Sequence, residues 1–333
     1  MSETILVTGS SGFIGTYVCL ALAERGDRVI AFDVVPPKPE LAWLVEPVSD
    51  RIVNVEGGVD DWSQVLSAVL QHQPTRIAHA GGATNPPRLQ RFPMVAVNVN
   101  IVGTANVFEA ARLAGVRRVV YFSSIGVLPP HYRYEPIDAD HPLITATEGP
   151  GSGFYGAAKL AGEALAYAYW DAFGLDILTI RPSAVYGFGM NWPIYIKPMV
   201  ENAVAGAPTV FETGRDFPRD YTHVRDVAQL TVRMLDAQPD TVNARIFYGA
   251  TGRPLVTAGR VAEVVRALVP EAVCSIGQGF SDDDMLEIPD RAMLDVTPAV
   301  EQLGYEPRFG DIRAGVEEYI ASLTRYAQHL AGA

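Results

Sequence analysis

The sequence predicts an α/β fold: a doubly wound parallel sheet covered by helices on both faces, followed by a smaller mixed α/β lobe. Three observations carry that expectation. Short apolar runs alternate with helical patterns up to about residue 181. The runs are apolar throughout rather than at every second position, as in TILVT (4–8) and RVIAF (28–32), which marks strands buried on both faces. Glycines stand just past the helical patterns, at Gly26, Gly115 and Gly174, where a left-handed residue stops a helix.

In chain order, residues 4–8 form the first strand and 14–25 a helix that stops at Gly26. Residues 28–32 and 51–55 are the second and third strands, and 61–71 has helical periodicity. A short strand covers 76–79, a long helix 95–114, and a further strand 117–123. The helix 156–173 ends before Gly174, and 175–180 is the next strand. Beyond Arg181, Pro and Gly become frequent and the strands shorten. Residues 1–181 are therefore expected to form a nucleotide-binding domain, and 182–333 a substrate lobe interleaved with it.

The chain has 333 residues, 48% of them hydrophobic, enough for a sizeable core. A formal charge of −12 repels nucleic-acid backbones and anionic membranes, so neither is an expected partner. A local basic pocket for a small phosphate ligand is still compatible with it. The two cysteines, Cys19 and Cys274, have neither disulfide nor zinc spacing and suit a reducing cytoplasm; Cys19 reads as a small buried hydrophobe. Residues 1–12 lack the pattern of a signal peptide, and the apolar run 13–23 falls short of the about 20 residues that a membrane span needs.

The first strand runs straight into Gly9-Ser10-Ser11-Gly12-Phe13-Ile14-Gly15. Glycines at 9, 12 and 15 allow a tight turn, a backbone bare enough to approach a pyrophosphate, and a close helix start, whose free N–H groups face the anion. The strand–loop–helix context sets this apart from a plain tight turn and makes the domain a Rossmann-type one. Asp33 ends the second strand, where a carboxylate accepts from both hydroxyls of an adenosine ribose and repels a 2′-phosphate. No arginine follows it, so NAD is expected rather than NADP.

Tyr155 and Lys159 are four apart at the start of a helix and share one face. An ammonium beside a phenol lowers its pKa and makes it a usable proton carrier; the lysine also reaches the nicotinamide ribose. Ser123 and Ser124 stand at the carboxyl end of a strand, where open parallel sheets bind ligands; one can serve the reacting oxygen while the other caps the strand.

These stretches, with VNVNIVGTANVFEAARLAGVRRVVYFSS, YGAAK, LTIRPSAVYGFG and RDYTHVRDVA, resemble the extended short-chain dehydrogenase/reductase family over nearly the whole chain. Many members are sugar-nucleotide epimerases, dehydratases and decarboxylases. The resemblance implies that Ser124, Tyr155 and Lys159 are catalytic. It implies that Gly58 and Val59 flank the adenine, and that Ala80 and Gly81 line the dinucleotide. Asn98 would support the site from its helix, and Pro182 and Ser183 would lie by the nicotinamide. Ser124, Ile125, Tyr155 and Arg219 would meet the substrate, with Arg219 on a diphosphate. It further implies a homodimer built on the helices 95–114 and 156–173.

Departures sort the reactions. Ile125 and Gly126 stand where dehydratases carry an Asp-Glu pair and decarboxylases a glutamate, so both chemistries are disfavoured. Ala184 replaces an asparagine that often contacts nucleotide-sugar phosphates, and Gly57-Gly58 replaces the more usual Gly-Asp. Arg219 has a bland alternative, an ion pair with Asp220 or Asp226. Epimerisation of a nucleotide-linked sugar leads; the alternative is a dehydrogenase that releases NADH from a sugar acid or another small secondary alcohol. A non-catalytic NAD sensor is disfavoured by the intact Ser124/Tyr155/Lys159 set. The Pro-rich loop 128–153 holds two His and two Asp, and reads as a cover for the site rather than a metal centre. Asp282-Asp283-Asp284 reads as a solvated acidic turn.

Overall fold

The computed structural model describes residues 2–287 and 291–332. Its central sheet uses β1 (Thr4–Thr8), β2 (Arg28–Asp33), β3 (Ile52–Glu56), β4 (Arg76–His79), β5 (Arg118–Phe122), β6 (Ile177–Pro182) and β7 (Ile246–Gly249). The order is β7-β6-β5-β4-β1-β2-β3, and every pairing is parallel. The strand order reverses between β1 and β4, which opens a crevice at their carboxyl ends.

The continuous apolar runs are explained by two cores. Ile5, Val7, Val29, Ala31, Val120 and Phe122 point to one face, against α1 (Phe13–Arg25) and the later helix Val224–Asp236. Leu6, Ile30, Phe32, Val119 and Tyr121 point to the other. There they meet α2 (Trp62–His72), α3 (Pro93–Leu113) and α4 (Gly153–Phe173). Helix α3 is long and apolar enough to cross a membrane by length and composition, yet Val107, Phe108, Ala110 and Ala111 are buried in this second core.

Most element ends fall within two residues of expectation. Two differ for local reasons. Helix α4 begins at Gly153, not 156, so Tyr155 lies inside its first turn. The long helix expected at 95–114 is α3, which loosens into π-type turns over Ala96–Val102. Among the described residues after β6, three short strand pairs and the helices Ile196–Ala205, Ala258–Leu268 and Ile312–Gly332 surround a third core. Later segments return to the central sheet: Val224–Asp236 packs on it, β7 completes it, and Ala299, Leu303 and Tyr305 join its first core. Both buried cysteines lie in these cores. Asp284 corrects the acidic-turn expectation: it is buried, and accepts from Tyr195 Oη at 2.8 Å and the Ser281 N–H at 2.8 Å.

Candidate active site

The glycine loop sits at the strand reversal. Gly9 has φ +69°, and a Cβ there would stand 2.6 Å from the Gly81 nitrogen. A Cβ on Gly15 would stand 2.0 Å from the Gly9 carbonyl oxygen. Only glycine lets the two loops and the helix start close up in this way. Helix α1 opens without a side-chain cap and without an acidic residue in its first turn, so the N–H groups of Phe13 and Ile14 are left for an anion.

Asp33 accepts the Ser11 N–H at 3.0 Å through one oxygen and the Val34 N–H at 2.7 Å through the other. Each oxygen keeps a lone pair for a ribose hydroxyl. Gly58 is fixed by its N–H to Gln64 Oε1 at 2.8 Å, and Val59 by its carbonyl, which accepts from Asn106 Nδ2 at 2.9 Å. The loop after β4 is tied to the loop after β1 by a buried chain. Gly81 N donates to Thr8 Oγ1 at 3.1 Å, and Thr8 Oγ1 lies 2.7 Å from His79 Nδ1. His79 Nε2 lies 3.1 Å from Thr104 Oγ1, which donates to the Asn100 carbonyl at 2.7 Å. Burial, with Lys159 nearby, holds the His79 pKa at about 3, so the ring is neutral. These residues form a cradle that fits a dinucleotide: bare backbone at the pyrophosphate, a free helix start, and a carboxylate at the ribose.

Asn98 does not support the site as expected; it is exposed. Its place is taken by Asn100, buried two positions along α3 and so on the opposite side of the helix. Asn100 Oδ1 accepts from the Ala83 N–H at 2.7 Å, and its Nδ2 donates to the Ala83 carbonyl at 2.9 Å. The run VNVN offers two asparagines, and the π-type turns that choose between them have no signal in composition.

The catalytic candidates gather at the adjoining end of β5 and the start of α4. Ser124 caps the turn after β5, accepting from the Gly126 N–H at 3.0 Å, and its hydroxyl stands near enough to the Tyr155 phenol to pull that group's pKa down. Ser123 turns inward and donates to Glu163 Oε1 at 2.5 Å. The two neighbouring hydroxyls thus have separate duties. Lys159 is buried, its Nζ donating to the Phe122 carbonyl at 2.7 Å. Burial lowers its pKa to about 8, against the opposing pull of Glu163.

The expected lowering of the Tyr155 pKa is absent from the protein alone. Burial raises it, with Ser124 opposing. The physical reason is where the ammonium points: Lys159 is bonded to the Phe122 carbonyl and is not among the groups that shift the phenol.

Glu163 is a site residue the sequence reading missed. Its buried carboxylate accepts from Arg181 Nε at 2.9 Å and Nη2 at 2.8 Å. It lies four residues beyond Lys159, on the same face, which is the one available signal. Arg181 precedes Pro182 and Ser183 at the end of β6; it also reaches Tyr248 Oη at 3.3 Å, and Tyr248 Oη donates to the Asp138 carbonyl at 2.9 Å. The 128–153 loop is thereby fastened beside the site. Within the loop, His131 Nδ1 lies 2.6 Å from Glu148 Oε1 and His141 Nε2 accepts the Arg133 N–H at 2.8 Å, while Glu135 Oε1 reaches out of it to accept the Met293 N–H at 2.7 Å.

A cleft next to Ser124 is lined by Ile125, Ser183, Ala184, Arg219 and Arg291 among others. The Arg219 guanidinium lies 4.8 Å from the Phe217 ring centroid and that of Arg291 5.8 Å. Two cations therefore share one wall in a chain of net charge −12. The two aspartates expected as alternative partners of Arg219 accept hydrogen bonds from other groups as well. Asp220 accepts from Thr222 and Thr251, and Asp226 from the Arg308 and Phe309 N–H groups. Arg291 lies far from every motif, so nothing in the sequence pointed to it.

The model of the NAD dependent epimerase/dehydratase family matches residues 5–247. A UDP-glucose 4-epimerase of Mycolicibacterium smegmatis is 30% identical over 317 residues, covering 91% of this chain and 93% of its own length. An epimerase structure from Methanothermobacter thermautotrophicus superposes with a TM-score of 0.81 at 22% identity, over 100% of this chain and 95% of that one. An L-threonine dehydrogenase from Cupriavidus necator superposes with a TM-score of 0.80 at 23% identity, over 96% and 99%. With the glycine cradle, Asp33 and the Ser124/Tyr155/Lys159 set in place, the chain belongs to the NAD-dependent epimerase/dehydratase family and is an enzyme of the extended short-chain dehydrogenase/reductase type.

Proposed function

We propose that the enzyme epimerises a nucleotide-linked sugar, oxidising one carbinol to a transient ketone and reducing it on the other face. The observation that carries this reading is the pair Arg219 and Arg291 on one wall of the cleft beside Ser124. Guanidinium groups bind a diphosphate in a bidentate way, and two of them hold it firmly. An anchored diphosphate lets the keto sugar turn over without leaving, so both faces reach the same reaction centre.

The dinucleotide, held by Gly9, Ser11, Gly12, Phe13, Ile14, Gly15 and Asp33, supplies the hydride acceptor and a positive charge when bound. The chain's own residues do the rest. Tyr155 takes the proton of the substrate hydroxyl and later returns it. Ser124 holds the reacting oxygen through its hydroxyl. Lys159, held by the Phe122 carbonyl, would offer its ammonium to the nicotinamide ribose. Dehydration and decarboxylation are not supported, since Ile125 and Gly126 supply no second acid or base.

The test is to incubate the enzyme with UDP- and dTDP-linked sugars, follow the absorbance of the reduced cofactor, and analyse the sugars by NMR. A new stereoisomer with flat absorbance is expected. Stoichiometric NADH with an oxidised product would overturn the reading in favour of the dehydrogenase alternative. Arg219→Ala is expected to weaken nucleotide-sugar binding about tenfold or more, as loss of a charged hydrogen-bond partner does. The same reading includes a homodimer through α3 and α4, which expose Leu113, Tyr167 and Phe173. Light scattering at the monomer mass would remove that part.

A further inference from the structure

Beside Asp33, the turn that leaves β3 carries a carboxylate that the fold does not use. β2 and β3 run in register with Asp33 opposite Glu56, so Gly57-Gly58-Val59-Asp60 passes alongside the residues that leave β2. The Gly57 N–H donates to the Asp33 carbonyl at 2.9 Å and holds the two chain ends together. A Cβ on Gly58 would stand 2.8 Å from Asp60 Oδ1 and 3.4 Å from Val34 Cγ1. The Asp60 carboxylate therefore folds back over the bare backbone of Gly58, next to the residue that follows Asp33. Its polar neighbours have structural duties. Asp61 caps α2, its Oδ1 accepting from the Ser63 N–H at 2.9 Å and the Gln64 N–H at 3.1 Å. Gln64 Oε1 takes the Gly58 N–H at 2.8 Å. Asp60 is exposed, and among the described residues its carboxylate forms no hydrogen bond or ion pair.

We propose that Asp60 reads the base of the dinucleotide by accepting a hydrogen bond from the 6-amino group of adenine. The inference rests on the cradle described above, with the adenosine ribose at Asp33, and adds one residue to it. A base joined to that ribose extends past the strand ends, where Val34 and Gly58 adjoin. Val34 is exposed and offers an aliphatic surface to the face of a ring. Glycine at 58 keeps the backbone low and leaves room for the carboxylate at the edge of that ring. The chemistry of the pair is selective. An ionised carboxylate only accepts, and the adenine amino group only donates, whereas a 6-oxo base turns a second acceptor toward the carboxylate. A site that receives an N–H discriminates against an analogue lacking it far more than an apolar contact does. Glu56 also carries an exposed carboxylate, but it stands opposite Asp33 within the strands and not beside the residues beyond them.

The test is calorimetric titration of the enzyme, freed of bound dinucleotide, with NAD and with nicotinamide hypoxanthine dinucleotide, which carries a 6-oxo group in place of the 6-amino group. Wild type is expected to bind NAD about tenfold tighter, the factor for one hydrogen bond to a charged group. Asp60→Asn can donate to a 6-oxo group and is expected to bring the two affinities within about twofold. Glu56→Gln is the control and is expected to keep the wild-type ratio. Equal binding of the two dinucleotides by wild type overturns the inference. It leaves the reading of the ribose by Asp33 standing, since titration with NADP tests that separately. A preference that survives Asp60→Asn, or that is lost in Glu56→Gln instead, gives the 6-position to another group and overturns the assignment. A variant Asp60→Asn that loses only its discrimination against NADP does so as well, because the carboxylate then acts as a charge and not as an acceptor for the base.

Discussion

At the scale of the residue, Tyr155 shows how a proton carrier is set up by its surroundings. Its phenol is pushed upward by burial and restrained by the Ser124 hydroxyl, so it is protonated at neutral pH in the protein alone. Tyr155→Phe removes the proton carrier, while the phenol oxygen is expected to contribute little to holding the dinucleotide. Turnover is expected to fall about 10²–10⁴-fold, the usual contribution of general acid–base catalysis, while NAD affinity by calorimetry stays within a few fold. Wild-type turnover would take Tyr155 out of the mechanism. Asp33 is a second single-residue device, a carboxylate held by the Ser11 and Val34 N–H groups at the rim of the cradle. Asp33→Ala is expected to narrow the preference for NAD over NADP, measured by titrating both; an unchanged ratio would show that it does not read the ribose.

At the scale of the element, α4 carries Tyr155, Lys159 and Glu163 on one face at intervals of four. Glu163 joins three pieces of chain. It binds Ser123 beside the catalytic serine and Arg181 before Pro182, and its charge supports the Lys159 ammonium against burial. Glu163 and Arg181 are both almost fully buried, so removing one partner leaves a charge with neither water nor counterion. Glu163→Gln is expected to cost about 3–5 kcal/mol in denaturant unfolding, whereas replacing both residues with apolar ones of similar volume should recover much of that loss. A single variant as stable as wild type would mean that the pair carries no such constraint. The helix itself was readable from its period and from Gly174. Glu163's role was not, because its partners Ser123 and Arg181 lie 40 and 18 residues away in sequence.

At the scale of the whole molecule, a carboxylate of the C-terminal helix Ile312–Gly332 ties it back to the helix Val224–Asp236. Glu318 lies 3.0 Å from His223 Nε2 and accepts from Arg225 Nε at 2.9 Å, both at the start of Val224–Asp236. Burial opposes its ionisation, but His223 and Arg225 outweigh burial and hold its pKa at about 2, below the 4.5 of a free glutamate. A carboxyl depressed in the folded state contributes stability that is complete above its unfolded pKa and is lost as pH falls toward the folded one. Thermal melts should therefore show Glu318→Gln destabilised at pH 7, with the gap to wild type closing between about pH 4.5 and 2. A gap that does not change with pH would mean the side chain acts through packing alone.

The sequence by itself determined the doubly wound sheet, the glycine cradle, Asp33 and the Tyr155–Lys159 pair. Each depends on short-range pattern: continuous apolar runs, glycines at a strand-to-helix turn, and residues one helical turn apart. Tertiary structure decided what depends on meetings between distant segments. It chose Asn100 over Asn98, because the side of α3 that faces the site follows from its π-type turns. It gave Ser123 to Glu163 and Ser124 to Tyr155, although adjacent serines look alike in sequence. It brought Arg291 to Phe217 beside Arg219. Burial and charge partners are properties of neighbours in space, and a chain of 333 residues fixes most of those neighbours only when it folds.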